Sequence, residues 1–289
     1  MVMLEINEET IALIDRTLEE DLDGGIDVTS MATVPDDLES DAKLVAKAEG
    51  VIAGIDIAQL VMKRCGIESF QSQKNDGDRV KEGDLVASMS GEARSILLAE
   101  RTALNFMTHL SGIATLTSRW VSAVAGTKVK IRDTRKTTPG LRSLEKYAVR
   151  IGGGVNHRST LAEQALIKDN HIAASGSLTV AFLALRKEFP DIEVEVEVDN
   201  LDQLREALGC GARLIMLDNM DLEMTREAVA ITAGRAELES SGGLSLANAR
   251  AYAQTGVDYL AVGALTHSAP ALDISLDISD RTSSTKGSK

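Results

Sequence analysis

Val129-Lys130-Ile131-Arg132-Asp133-Thr134-Arg135-Lys136 is the stretch that decides the fold. Apolar β-branched residues at alternate positions give way at once to a polar cluster, the pattern of a buried strand that ends at a working site. The pattern recurs towards the carboxyl terminus. Ala165 to Ile167 leads into Lys168-Asp169-Asn170-His171, Ile192 to Val198 carries Glu197 beside Asp199, and Arg213 to Leu217 leads into Asp218-Asn219. Ala236 to Leu238 leads into Glu239-Ser240-Ser241-Gly242-Gly243, and Tyr259 to Val262 into Gly263-Ala264. Helix-like segments separate these strands, and that alternation predicts a parallel α/β architecture. In (β/α) barrels working residues gather at the carboxyl ends of strands, so six such ends in series predict one shared site. Six units where a closed barrel has eight predict an open, incomplete β/α barrel.

Upstream the pattern differs. Asn7 suits a helix cap before Ile11, Ile14 and Leu18, and short β-prone runs punctuated by glycine fill the stretch from Ser40 to Met89, an α+β module. Within it, Gly77-Asp78-Arg79-Val80-Lys81-Glu82-Gly83-Asp84 has hairpin chemistry. A long helix is predicted from about Ile96 to Ala125, with Gly112 as a weak point and Gly126 as its stop. The expected organisation is an amino-terminal α+β module, an open-barrel domain after the long helix, and a loose tail over 281–289 that lacks apolar anchors.

The 289 residues are 44% hydrophobic, enough for a real core, and contain no apolar run able to span a bilayer. The first twenty residues form an acidic amphipathic segment with no signal-like core, so a cytoplasmic protein is expected. Cys65 and Cys210 lie far apart and in no metal-ligand spacing, which predicts buried free thiols. A net charge of -13 argues against nucleic acid or an anionic membrane as partner. Yet between Lys128 and His171 ten Lys or Arg stand against four Asp or Glu, so a small anion is the expected ligand there. Arg142, Lys146 and Arg150 fit a solvated helix face. Arg135, Lys136, Arg158 and Lys168 sit beside strands and fit a site.

Taken singly, the candidates keep alternatives open. Ser240-Ser241-Gly242-Gly243 follows a strand and precedes a helix near Leu246, where backbone N–H groups could cradle a phosphate together with the next strand end, Val262-Gly263-Ala264. Gly152-Gly153-Gly154 reads as a flexible turn after a helix begun by Thr138 and Pro139. Glu197 and Asp218 could hold Mg²⁺, bind sugar hydroxyls or simply pair with nearby cations. Arg135 and Arg158 suit bidentate carboxylate recognition. His157 could orient a substrate or satisfy a core hydrogen bond. Lys168 would permit Schiff-base chemistry, although surrounding carboxylates favour a charged, anion-binding amine.

Arg132-Asp133-Thr134-Arg135-Lys136-Thr137-Thr138-Pro139-Gly140-Leu141-Arg142 closely resembles a signature of the quinolinate phosphoribosyltransferases. Gly152-Gly153-Gly154-Val155-Asn156-His157-Arg158, Leu166-Ile167-Lys168-Asp169-Asn170-His171, Glu195-Val196-Glu197-Val198-Asp199, Leu217-Asp218-Asn219, Glu239-Ser240-Ser241-Gly242-Gly243 and Val262-Gly263-Ala264-Leu265-Thr266-His267 follow in the family's order. Glu100-Arg101-Thr102-Ala103-Leu104-Asn105 matches as well, so the resemblance covers nearly the whole chain.

The resemblance implies an amino-terminal α/β sandwich domain over 1–111 completed by 268–280, an open β/α-barrel domain over 112–267, a homodimer or larger homo-oligomer, and Arg101 donated to the partner's barrel. It implies Thr134, Arg135, Lys136, His157 and Arg158 around quinolinate, and Lys136, Lys168, Glu197 and Asp218 as the catalytic set. Lys168 would serve the phosphoribosyl pyrophosphate side, Glu197 and Asp218 the ribose and Mg²⁺, and Ser241, Gly242, Gly243, Val262, Gly263 and Ala264 the phosphate. The rivals are a related non-decarboxylating phosphoribosyltransferase, a Schiff-base aldolase using Lys168, and a non-catalytic phosphosugar-binding protein.

Overall fold

The computed structural model of the protein describes residues 4–280, so the expected tail over 281–289 lies outside the described residues. The chain forms two compact units, one from the residues up to Leu116, Arg150–Gly152 and the chain from Ala269, the other from Thr117–Val149 and Gly153–Ser268.

The first unit opens with α1 (Glu8–Leu22), where the side chain of Asn7 accepts the Thr10 N–H as expected of a cap. There follow α2 (Val28–Thr33), β1 (Glu39–Ala46), β2 (Gly50–Val51), α3 (Ile55–Arg64), β3 (Ser69–Ser72), β4 (Arg79–Val80) and β5 (Leu85–Glu92). The long helix α4 (Ala93–Ala123) then carries the chain into the second unit. That unit contains β6 (Lys130–Arg132), α5 (Arg142–Ile151), β7 (Ala165–Ile167), α6 (Asp169–Ser175), α7 (Leu178–Glu188), β8 (Val194–Val198), α8 (Leu201–Gly209) and β9 (Leu214–Asp218). It closes with α9 (Leu222–Thr232), β10 (Glu237–Ser241), α10 (Ala249–Ala253), β11 (Tyr259–Ala261) and α11 (Ala264–His267), after which β12 (Ile274–Asp280) returns to the first unit.

β12, β1, β5 and β3 form a four-stranded antiparallel sheet. In β1 the side chains of Ala42, Leu44 and Ala46 are buried and alternate with exposed neighbours, the mark of a sheet with one dry face. Two expectations fail in this unit. β4 pairs with β2 and not with β5, because the Asp78 and Asp84 carboxylates close two separate turns by accepting the Asn75 and Lys81 N–H groups. Gly112 is a packing point and not a weak one, since a Cβ there would stand 2.2 Å from the Pro270 carbonyl oxygen.

All six predicted strands are present in the second unit, as one parallel sheet in the order β6-β11-β10-β9-β8-β7. The largest shift is in β10, which runs to Ser241 instead of stopping at Leu238. The fold is an open β/α barrel, with β6 and β7 as its unjoined edges. A single parallel bridge, Arg132 with Val155, extends the β6 edge. Val194, Val196 and Val198 of β8 are buried on one face of the sheet, so Glu195 and Glu197 take the other by the two-residue period. Asn200, Asp221 and Ser177 cap α8, α9 and α7 through side-chain oxygens, which fixes where each strand end turns into its helix.

The helix after β6 starts at Arg142 and not at Thr138, because the Glu145 side chain accepts the Thr138 N–H ahead of it. The basic face predicted on this helix also fails at Lys146. That residue is buried, and its Nζ donates to Asp133 Oδ1 at 2.6 Å and to the His157 carbonyl at 2.8 Å. Cys65 and Cys210 are free, but half-buried instead of buried.

Candidate active site

A cavity of about 520 Å³ opens at the carboxyl ends of the parallel strands. It brings together Thr134, Arg135, Lys136, His157, Arg158, Lys168, Glu197, Asp218, Ser241 and Gly242 from the predicted set. A cleft of about 600 Å³ lies at the opposite, amino ends of the strands, among Lys128, Glu193, Arg213, Glu237 and Asp258. Its charges already neutralise one another in part, with Lys128 Nζ 2.7 Å from Asp258 Oδ1, and barrel chemistry gathers at the other end.

The cations of the cavity come from the loop after β6, from the segment before β7 and, for Lys168, from the end of β7. Arg158 is nearly buried, and its Nη1 donates to the Gln164 carbonyl at 2.7 Å. Burial and the nearby Arg135 pull its pKa down. Neither Arg135 nor Arg158 has a carboxylate within ion-pair distance among the described residues, and the Nε of each is buried without a partner. Two guanidiniums left incomplete on one wall form a receptor for an anion with more than one oxygen pair. Thr134 Oγ1 accepts the Lys136 N–H, and Thr266 Oγ1 donates to the Lys136 carbonyl, which ties this loop to the end of β11.

The acids stand on neighbouring strands. Glu197 of β8 lies 3.4 Å from Lys168 Nζ, so this lysine is paired and not placed in the anion-poor pocket that Schiff-base chemistry wants. Burial pushes the Glu197 carboxyl up; Lys168 pulls it back and Asp218 pushes it further. Asp218 Oδ2 accepts the Asn219 side-chain N–H at 2.8 Å. Two hard oxygen donors that repel each other in one cavity fit a Mg²⁺ ion, directly or through water.

His157, Glu195 and Glu239 also lie close enough together to hold an ion, but they do not fit one. Arg132 Nη1 already donates to Glu239 Oε2 at 2.7 Å, and His157 is engaged at both ring nitrogens.

The phosphate-cradle residues divide. Ser241 and Gly242 line the cavity, whereas Gly243, Val262, Gly263 and Ala264 do not. Gly263 is adjacent through a neighbour: a Cβ on it would lie 3.1 Å from Lys136 Cδ. The helix expected near Leu246 begins only at Ala249, eight residues after Ser241. Arg101 belongs to the first unit; its side chain is 65% exposed, and its ion-pair contact is Glu100 at 3.9 Å.

Leu166, Met216 and Asn219 line the cavity without having been assigned a role in it. Beneath them Asp133, fully buried, binds Lys146, the Asn156 side chain and the His157 N–H. Burial pushes the Asp133 carboxyl up and the Lys146 ammonium down, against the pull of each on the other. Arg132 stacks 4.1 Å from the centre of the Tyr259 ring. The signal for most of these residues was in the two-residue period. Leu166 stands two before Lys168, Glu195 before Glu197, Met216 before Asp218 and Glu239 before Ser241, each on the face of its strand that ends in the site.

Residues 27–111 match the model of the quinolinate phosphoribosyl transferase N-terminal domain and residues 113–277 that of the C-terminal domain. The nicotinate-nucleotide pyrophosphorylase (carboxylating) of Mycobacterium leprae is 53% identical over 271 residues, 92% of this chain and 95% of that protein. A probable nicotinate-nucleotide pyrophosphorylase (carboxylating) of Bacillus subtilis is 42% identical, over 92% of each chain. The crystal structure of the nicotinate-nucleotide pyrophosphorylase of Ehrlichia chaffeensis superposes with a TM-score of 0.91 at 40% identity, covering 96% of this chain and 100% of that one. With both domains matched and more than half of the aligned residues shared with a full-length relative, the chain belongs to the quinolinate phosphoribosyltransferase family.

Proposed function

We propose that this chain transfers the phosphoribosyl group of 5-phosphoribosyl-1-pyrophosphate to the ring nitrogen of quinolinate. The adjacent carboxylate leaves as CO₂, giving nicotinate mononucleotide and pyrophosphate for NAD synthesis. The observation that carries this reading is the pair Arg135 and Arg158, two incomplete guanidiniums facing one cavity whose other wall bears Glu197 and Asp218. A monoacid would leave one of them unmatched, which favours a diacid over nicotinate.

In this reading Arg135, Arg158 and Lys136 grip the two carboxylates, with Thr134 beside them. Lys168 and the Ser241-Gly242 turn bind the phosphorylated sugar, with Gly243, Val262, Gly263 and Ala264 behind that turn. As pyrophosphate departs, positive charge develops on the anomeric carbon, and Glu197 and Asp218 stabilise it while the pyridine nitrogen attacks. A bound Mg²⁺ would neutralise charge on the leaving pyrophosphate. The new bond leaves the ring nitrogen cationic, and that charge stabilises the electron pair left on the neighbouring ring carbon when CO₂ leaves, until a proton from water adds there. His157 contributes through its ring edge, since both of its nitrogens are bound to protein groups. In this reading exposed Arg101 reaches the site of a second copy, and the working assembly is a homodimer or larger with shared sites. Among the described residues no helix is long and apolar enough to cross a membrane.

The test is a direct assay with quinolinate, 5-phosphoribosyl-1-pyrophosphate and Mg²⁺, following nicotinate mononucleotide and CO₂. Turnover of nicotinate without turnover of quinolinate would remove the assignment.

A further inference from the structure

The two edges of the parallel sheet do not meet, and among the described residues side chains span the seam between them. After its bridge to Arg132, the chain from Val155 runs along this gap. Arg158 reaches across to the Gln164 carbonyl, just before β7, and the Gln164 side chain in turn donates to Glu193 Oε2 at 2.8 Å. His157 reaches further, with its Nε2 lying 2.6 Å from Glu195 Oε2 in β8. On the β6 side the His157 N–H donates to Asp133 and its carbonyl accepts from Lys146.

The hydrogen bonds fix the tautomer of His157. Its Nδ1 accepts the backbone N–H of Arg158 at 2.8 Å, so no proton stands there, and the ring proton must be on Nε2, where it donates to Glu195. The imidazole is therefore neutral, in agreement with the downward pull that burial exerts on its pKa. A ring flip would set carbon against both partners, so the ring is locked at its two ends.

Glu195 is the unusual member of this arrangement. It is fully buried inside a strand, where apolar residues are the rule, and its Oε1 has no partner. Its hydrogen bond among the described residues is to His157, which carries its position on to the backbone of Arg158, and its charge also bears directly on the Arg158 guanidinium.

We propose that Glu195 is a positioning residue for the diacid. By holding His157 in its Nε2–H tautomer it places Arg158 at a fixed spacing from Arg135 across the open seam. The proposal rests on the reading of quinolinate as substrate. It requires that Glu195 act on the acid and not on the phosphorylated sugar, whose contacts are Lys168 after β7 and the ends of β8, β9 and β10.

Steady-state kinetics of Glu195→Met and Glu195→Gln, with each substrate varied in turn, test this. Methionine fills the space without an acceptor, and KM for quinolinate should rise roughly tenfold or more while KM for 5-phosphoribosyl-1-pyrophosphate stays near that of the parent enzyme. Glutamine can still present an oxygen to Nε2–H and should restore most of the loss. Nitrogen-15 NMR of the unsubstituted protein, labelled at histidine, should show the Nε2–H tautomer at His157, a readout that does not depend on any variant folding. The proposal is overturned by an Nδ1–H tautomer, by an equal rise in both KM values, by an unchanged quinolinate KM in Glu195→Met, or by Glu195→Gln behaving like Glu195→Met. If the unsubstituted enzyme does not turn over quinolinate, it is the assignment of function that falls; if it does, only the role of Glu195 is at stake.

Discussion

Gly242 and Asn219 approach so closely that a Cβ on Gly242 would stand 2.1 Å from Asn219 Oδ1. Gly242 also has φ +84°, in the left-handed region. Asn219 has positive φ too, and its N–H donates to the Ser241 carbonyl, so the turns after β9 and β10 are fitted to one another beside Asp218. Gly242→Ala should displace Asn219 and with it Asp218, raising KM for 5-phosphoribosyl-1-pyrophosphate more than KM for quinolinate and costing about 1 kcal/mol or more of stability. Substrate-resolved kinetics and urea unfolding measure both; an unchanged sugar-phosphate KM would refute the coupling.

Removing the buried ammonium of Lys146 leaves Asp133 with an uncompensated charge beneath the cavity floor. Lys146→Met should destabilise the fold by roughly 3–5 kcal/mol. The double variant Lys146→Met with Asp133→Leu should recover part of that loss, since the pair itself adds little once both charges are gone. Urea denaturation of the set reads the difference.

Burial, with Glu195 nearby, pushes the Glu239 carboxyl from 4.5 up to about 7, while Arg132 pulls it back. Between those values the unfolded chain binds fewer protons than the folded one, so this group's contribution to stability is lost as pH rises through the window. Burial pushes Glu195 up to about 7 as well, whereas the lowered pKa of His157 works in the opposite sense below its model value of 6.5. Glu239→Gln should therefore flatten the fall in stability between about pH 5 and about pH 7.5, by on the order of 2 kcal/mol. Identical slopes in the two proteins would show that Glu239 does not titrate in this range.

Arg135→Ala and Arg158→Ala should each weaken quinolinate binding by roughly tenfold to a hundredfold, and lysine at either position should restore only part of it, because a guanidinium grips a carboxylate through two parallel bonds. A shared site adds a further outcome. Arg101→Ala and Arg135→Ala, each impaired alone at low quinolinate, should regain activity when mixed and allowed to exchange subunits. No recovery on mixing would place Arg101 outside its partner's site.

Much of this architecture was legible in the sequence because it follows local rules. The strand period with polar ends marked all six parallel strands, and Asn7 marked the start of α1. Ten of the predicted site residues line one cavity because strand ends are where such a barrel exposes side chains. What stayed hidden depends on partners distant in the chain. Lys146 reads as a surface cation until Asp133 is placed against it, and Gly112 reads as a helix defect until the Pro270 backbone arrives. Glu195 and Glu239 were visible as letters, but only the inward face of the sheet explains why carboxylates stand there.

The seam between β6 and β7 gives this barrel an adjustable aperture. In a closed barrel the distance between facing side chains is set by strand number and stagger, and changing it means changing every strand. Here part of the cavity's wall hangs on two side chains that cross a gap, Arg158 and His157. Substitutions at the anchors of those two side chains would reset the distance at which two acid groups are gripped while leaving the six strands in register. A scaffold of this kind can be retuned from one small ring acid to another by a handful of changes along one edge.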